Sequence, residues 1–239
     1  PLAGLSVTIP HKESVLGHVS HRDELVESIG ATNTLSFGPD GIAAFNTDAK
    51  AAIESLWAAV SDREQEEQPA DAAAARRPGL RAGLKTALVL GAGGAARAVA
   101  FGLRQQGIEV TVSARTIERA RAIATDVGCK AVDWSARHRV PHDCIVNATP
   151  VGMHPNVDES PYAKEHLRPY MVVFDTVYNP ENTLLVKEAR AAGCTIVTGV
   201  DMFVRQAAIQ HRIWHGGDAS EQTMREALKR AISSARPAQ

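Results

Sequence analysis

Thr86-Ala87-Leu88-Val89-Leu90-Gly91-Ala92-Gly93-Gly94-Ala95-Ala96 is the stretch that decides the fold of this 239-residue chain. Its first five residues form a short apolar run of strand length, and Ala95–Gln105 carries helical spacing. Between them lies G-x-G-x-x-A, a variant of the dinucleotide fingerprint in its strand–turn–helix setting. Gly91 permits the tight turn, Gly93 keeps the backbone bare where a pyrophosphate would approach, and Ala96 lets the helix lie close on the sheet. The start of such a helix offers free N–H groups and a positive dipole end to an anion. Gly91, Ala92, Gly93, Gly94 and Ala95 are therefore the expected cofactor-binding turn.

Downstream the rhythm repeats. Glu109–Ser113, Cys144–Asn147, Val172–Asp175 and Thr195–Thr198 read as strands, with helices over Ile117–Asp126 and Thr183–Ala192. Short β-branched runs alternating with helices argue for a parallel sheet wrapped by helices. An NAD site would place an acid at the end of the second strand, about 20 residues past the fingerprint. Here Val112-Ser113-Ala114-Arg115-Thr116 has none, and Arg119 lies one helical turn beyond Arg115. Two guanidiniums there suit the 2′-phosphate of NADP, which accepts forked, charge-assisted hydrogen bonds. Arg119 and Arg121 equally fit a solvated helix face, whereas the place of Arg115 is set by the strand end. NADP is the expected cofactor.

Upstream, the stretch from about Val60 to Arg81 is rich in Ala, Arg, Glu, Gln and Pro and nearly free of large apolar residues. It buries too little surface to offset its ordering entropy, so a flexible insertion is expected, with a short solvated helix through Ala70–Arg76 as the competing view. Before it, Leu5–Ile9 reads as a strand ending at a proline turn, and Arg22–Ile29 as a helix stopping at Gly30. Ala31–Phe37 and Gly41–Phe45 read as strands around a Pro-Asp-Gly turn, and Asp48–Ala59 as a helix with Asp48 in the capping position. From Met202 onward the pattern is helical, broken at Gly216-Gly217.

Composition excludes several classes. Twenty-six basic against 27 acidic residues give a net charge of −1, so no basic field gathers nucleic acid or a membrane surface. The apolar runs are too short to span a bilayer and no secretory signal opens the chain, which makes a cytoplasmic location the expectation. Cys129, Cys144 and Cys194 lack framework spacing and read as reduced thiols. His18-x-x-His21 and His138-x-x-x-His142 have no cysteine or carboxylate cluster beside them, so no metal is expected.

Further motifs follow one another along the chain. They are Ser6-Val7-Thr8-Ile9-Pro10-His11-Lys12, Gly30-Ala31-Thr32-Asn33-Thr34, Asn46-Thr47-Asp48, Asn147-Ala148-Thr149-Pro150-Val151-Gly152-Met153, Asp175-Thr176-Val177-Tyr178-Asn179-Pro180 and Gly199-Val200-Asp201-Met202-Phe203-Val204-Arg205-Gln206. In identity, order and approximate spacing they resemble the shikimate dehydrogenase family over nearly the whole chain apart from the insertion. The resemblance implies NADPH-dependent, reversible reduction of 3-dehydroshikimate to shikimate in aromatic amino-acid biosynthesis, with Lys12 as catalytic lysine and Asp48 as its partner. It places Asn33, Thr8 and Gln206 on substrate hydroxyls, Ser6 where many members carry asparagine, and Tyr178 where substrate and nicotinamide meet. Arg115, Thr116 and Arg119 fall on the family's NADP-phosphate clamp. Asn147, Thr149, Met153, Val177 and Gly199 fall on its cofactor side.

The chemistry agrees independently, because hydride delivery to a ketone leaves charge growing on oxygen, which a positioned lysine ammonium both stabilises and protonates. Taken singly, Lys12 after a proline turn also fits a solvated charge, and Asp48 a helix cap. His11 is expected to be a packing or loop residue. The implied architecture is α/β, an NADP-binding Rossmann domain plus a smaller α/β substrate domain with a cleft between them. Residues 1–83 are expected in the substrate domain, 84–200 in the NADP domain, and 201–239 as helices returning to the first. Family members carry an opening βαβ unit and a carboxylate-gripping Ser-x-Ser element before the lysine loop, so a longer polypeptide or a completing neighbour is expected. The loop's wording also resembles bifunctional forms in which a 3-dehydroquinate dehydratase domain comes first. A quinate/shikimate dehydrogenase using NAD and a non-catalytic metabolite sensor are the rival readings.

Overall fold

The computed structural model describes residues 2–66 and 83–234. Two sheets organise them. The larger is built from β5 (Thr86–Leu90), β6 (Glu109–Ala114), β7 (Lys130–Asp133), β8 (Cys144–Asn147), β9 (Val172–Asp175) and β10 (Thr195–Val197). Its strands are all parallel, in the order β7-β6-β5-β8-β9-β10. Chain order reverses between β5 and β8, and in open α/β sheets the ligand crevice lies outside the carboxyl ends at such a point. The central strands are buried on both faces. Leu88, Leu90, Ile145 and Val173 pack with Tyr162 and Leu185 on one side. Val89, Val112 and Val146 pack with Val99, Leu103 and Leu56 on the other. Burial on both faces is why these strands read as continuous apolar runs. The strand β7 was not expected. It is an edge strand with exposed Lys130 and Asp133 at its ends, too short and polar to show a pattern.

Helices α3 (Gly94–Gln105), α4 (Ile117–Val127) and α5 (Leu184–Ala191) connect the large-sheet strands. Thr183 and Thr198, expected inside elements, instead cap the helices that follow them: Thr183 accepts from the Val186 amide and Thr198 from the Asp201 amide.

The smaller sheet runs β1 (Gly4–Ser6), β3 (Thr34–Gly38), β4 (Gly41–Phe45), β2 (His21–Arg22), with β3 antiparallel to both neighbours and β2 parallel to β4. Beside it α1 (Glu24–Ile29) starts under the Asp23 carboxylate and stops at Gly30 in the left-handed region. The expected first strand ends three residues early, at Ser6, because the chain turns back there: the His11 amide donates to Thr8 O at 2.9 Å. The next expected strand starts late, at Thr34, because Ala31 O is taken by the Asn46 side chain at 2.8 Å.

Helix α2 (Asp48–Glu66) joins the sheets, with Ala52, Leu56 and Val60 in the core shared with α3. The insertion expected from Val60 therefore begins inside a helix, since 60–66 continue α2. The rest of that stretch, including the competing helix at 70–76, lies outside the described residues. Finally α6 (Gly199–His215) leaves β10 and crosses to the small sheet, where Gln210 donates to Asn33 O at 3.0 Å and Trp214 to Leu35 O at 2.9 Å. After Gly216 the chain ends its described part in α7 (Glu221–Ser234). All three thiols are free. His142 is held between Val140 O and the Tyr162 hydroxyl, at 2.6 and 3.0 Å, and His138 stacks on His166. No helix of the described residues is long and apolar enough to cross a membrane.

Candidate active site

Lys12 and Asp48 meet. The Lys12 Nζ donates to Asp48 Oδ2 at 2.6 Å, with side-chain exposures of 16% and 4%. The lysine loop is pinned by the Thr32 amide, which donates to Lys12 O at 2.8 Å. The sequence puts Asp48 in the capping position, but Asp48 does not cap its helix. Asn46 does so, its Oδ1 accepting from the Asp48 and Ala49 amides at 3.0 and 3.2 Å. With the cap supplied by Asn46, both Asp48 oxygens are left for other partners, one of them Lys12. Its other oxygen accepts from Asn33 Nδ2 at 2.9 Å, and the same amide lies 2.8 Å from Thr47 Oγ1 and 3.1 Å from Gln206 Oε1. Gln206 is oriented by donating from Nε2 to Phe203 O at 3.0 Å. Residues from a loop, a hairpin and a distant helix thus form one connected network, and buried networks hold their geometry when every member is satisfied.

The glycine turn stands beside it. Gly91 has φ +120°, and a methyl there would sit 2.6 Å from Ala148 O, so only glycine fits both the turn and the neighbouring strand end. Gly94 is a closer junction: a methyl on it would lie 2.6 Å from Lys12 Cβ and 3.2 Å from Ala31 Cβ. The fingerprint helix therefore touches the lysine stem directly. In front of Gly93 nothing lies within 4 Å of where a Cβ would be. Helix α3 begins at that point with no capping side chain, and so does α4 behind Thr116. The other α-helices of the described residues start under Asp23, Asn46, Thr183, Thr198 and Ser220. Both uncapped N-termini face the one cleft, where their free N–H groups are available to an anionic dinucleotide. Arg115 and Thr116 are exposed at the end of β6, with Arg119 one turn on. A cradle clear of side chains at Gly93, open helix ends and a pair of guanidiniums fit NADP.

The cleft holds about 860 Å³ and runs between the two sheets. Lys12, Asp48, Ser6, Thr8, Asn33, Gln206 and Tyr178 line one part of it, and residues 91–95, Arg115, Thr116, Arg119, Thr149, Met153, Val177 and Gly199 line the rest. Tyr178 packs against Phe203, with ring centroids 4.6 Å apart. Asn147 is the one expected site residue that does not line the cleft. It is fully buried, accepting from Thr149 N and Oγ1 at 3.0 and 2.7 Å and donating to Asp175 Oδ1 at 2.9 Å. It shapes the loop that carries Thr149. His11 is exposed and lies outside the cleft lining.

Sequence reading missed three contributors. Glu13 lines the cleft and faces Arg119 across it at 3.4 Å. Gln210 holds the Ser6 hydroxyl at 3.1 Å and Thr34 Oγ1 at 2.9 Å, and its position one helical turn past Gln206 was the available signal. Asp175 is buried at the end of β9, and burial pushes its carboxyl up to about 6 against the hydrogen bonds from Thr183, Val177 and Asn147.

Comparison with known proteins agrees along the chain. The models described as shikimate dehydrogenase substrate binding domain, shikimate / quinate 5-dehydrogenase and shikimate 5′-dehydrogenase C-terminal domain match residues 1–35, 73–150 and 199–229. The shikimate dehydrogenase (NADP(+)) of Maridesulfovibrio salexigens is 39% identical, over 95% of this chain and 77% of that protein. The chloroplastic bifunctional 3-dehydroquinate dehydratase/shikimate dehydrogenase of Arabidopsis thaliana is 40% identical, over 90% of this chain and 35% of that one. Among solved structures, the shikimate 5-dehydrogenase of Thermus thermophilus in complex with NADP(H) and shikimate superposes with a TM-score of 0.79 at 36% identity, covering 96% of this chain and 79% of that one.

Proposed function

The chain belongs to the shikimate dehydrogenase family, and on that premise we propose that it catalyses the NADPH-dependent, reversible reduction of 3-dehydroshikimate to shikimate. One observation carries the reading: the Lys12–Asp48 pair lies in the same cleft as the glycine turn, with Gly94 against the lysine stem. NADPH supplies the hydride, and residues 91–95 with the open end of α3 would hold its pyrophosphate. Arg115, Thr116 and Arg119 would take the 2′-phosphate. Thr149, Met153, Val177 and Gly199 would line the remainder of the cofactor's bed.

The protein supplies the other half of the reaction. As the carbonyl carbon accepts hydride, the carbonyl electron pair moves onto oxygen, and the Lys12 ammonium stabilises that charge and gives up a proton. Asp48 holds the ammonium in one place and keeps its own second oxygen on Asn33. Asn33 and Gln206 are already aligned on each other, so a substrate hydroxyl meets preorganised partners rather than mobile ones. Ser6 and Thr8 extend this polar wall, and Tyr178 closes the side towards Val177. In the reverse direction the neutral amine of Lys12 takes the hydroxyl proton.

The two guanidiniums and the absence of an acid at the end of β6 favour NADP over the NAD of a quinate/shikimate dehydrogenase. The grouping of residues 1–83, 84–200 and 201–239 into substrate domain, NADP domain and returning helices belongs to the same proposal, as does a cytoplasmic setting. A dehydratase fused upstream is suggested by the Arabidopsis relative, and the reading frame preceding Pro1 tests it.

The deciding experiment is NADPH oxidation by the full-length polypeptide with 3-dehydroshikimate, run beside NADH and quinate. Turnover with NADPH and its loss in Lys12→Ala are the expected results. Equal or better use of NADH would overturn the cofactor assignment. No turnover in wild type, or undiminished turnover in the variant, would leave the metabolite-sensing reading.

A further inference from the structure

Glu13 follows the reactive lysine and faces away from it, towards the cofactor side. Its Oε1 lies 3.4 Å from Arg119 Nη2 and its Oε2 3.7 Å from Arg97 Nε. Arg97 is the fixed member of this group. Its side chain is only 13% exposed, its Nη1 is bound to Asp126 at 2.6 Å, and its Nε is buried without a hydrogen-bond partner. One Glu13 oxygen thus lies beside a mostly buried cation while the other engages the exposed guanidinium of Arg119. Glu13, Arg115, Thr116 and Arg119 all line the one cleft.

We infer that Glu13 is a specificity-determining residue for the cofactor: its carboxylate competes with the 2′-phosphate for Arg119 and sets how strongly NADP is preferred over NAD. The inference rests on the proposed NADP site and goes beyond it. A dianionic phosphate arriving between Arg115 and Arg119 must displace the carboxylate from Arg119 and then sit beside it, whereas NAD, with a hydroxyl there, leaves the ion pair intact. Glu13 therefore weakens only the phosphate's share of binding. Arg119 and Glu13 are both partly solvated, so the effect is screened and modest, about two- to fivefold in affinity.

Calorimetric titration of the whole chain with 2′,5′-ADP and 5′-ADP tests this without turnover. Glu13→Gln is expected to bind 2′,5′-ADP about two- to fivefold more tightly than wild type, with 5′-ADP unchanged. Glu13→Ala should act in the same direction, the gain should shrink at high salt, and it should vanish in an Arg119→Gln background. A merely structural role for Glu13 would move both nucleotides alike and would not respond to salt. Unchanged or weakened 2′,5′-ADP binding in Glu13→Gln overturns the inference while the NADP site stands, provided wild type prefers 2′,5′-ADP. A wild type indifferent to the 2′-phosphate overturns the site and the inference together.

Discussion

Separating Lys12 from Asp48 should be felt first in stability. Asp48→Asn removes the counter-charge 2.6 Å from an ammonium whose side chain is 16% exposed. The introduced amide can accept from Lys12 or from Asn33, but its own NH₂ then faces a donor, because both neighbours donate to Asp48. Breaking a fully buried pair costs about 3–5 kcal/mol and an exposed one about 0–1, so a mostly buried pair with some solvent access should cost about 2–3 kcal/mol. Lys12→Met should cost slightly less, since Asn33 still satisfies part of the carboxylate. With both replaced, neither charge is stranded, and the double variant should be about 1–2 kcal/mol more stable than the sum of the singles implies. Urea unfolding followed by the fluorescence of Trp57, Trp134 and Trp214 reads this cycle directly. Turnover of each single variant should fall by about 10²- to 10⁴-fold, and the double should be no worse than the poorer single. A coupling energy within about 0.5 kcal/mol of zero would mean the two side chains act independently, and the proton-donor geometry would have to be abandoned.

Three further outcomes follow from the geometry. Arg115→Gln should raise KM for NADPH by about tenfold while leaving KM for NADH in place, and steady-state kinetics with an unmoved NADPH value would refute the phosphate assignment. Gly94→Ala puts a methyl 2.6 Å from Lys12 Cβ, so the lysine must shift and kcat should drop about 10- to 100-fold; an unaltered kcat would show the contact to be dispensable. Asp175 carries a folded-state value of about 6 against an ordinary 3.8. A raised value means its contribution is fully present below 3.8 and is lost as pH rises through about 6. Wild type should therefore lose stability relative to Asp175→Asn across that window, at up to about 1.4 kcal/mol per pH unit; parallel denaturation profiles of the two proteins would contradict this.

The parts of the chain that were legible are those where one physical demand acts alone. Val172–Asp175 and Cys144–Asn147 are buried on both faces, each an apolar run closed by one buried polar residue, so their bounds are read to the residue. The glycine fingerprint is similarly over-determined, since Gly91 must supply both a positive φ and room for Ala148. Reading fails where two roles compete for one residue. Asp48 has the chemistry of a cap, and only the position of Asn46 two residues earlier releases it. Asn147 belongs to a motif but spends its amide on Val151 O and Asp175, behind the cleft wall. Polar or solvated segments such as β7 and the end of α2 lose their pattern altogether, because water satisfies them as well as packing does. Glu13 illustrates a third failure: its meaning depends on Arg97 and Arg119, which no local window contains.

The two unprotected helix starts behind Gly93 and Thr116 have a consequence for the life of the molecule in a cell. Each open end forgoes about 1 kcal/mol that a serine or aspartate would contribute, and a bound dinucleotide restores it as part of its binding energy. At a hundredfold excess over its dissociation constant the nucleotide adds about 2.7 kcal/mol, a substantial share of a domain's whole margin. Abundance of this protein is thereby tied to nicotinamide supply: starved cells would present proteases with a softer chain, and replete cells with a hardened one.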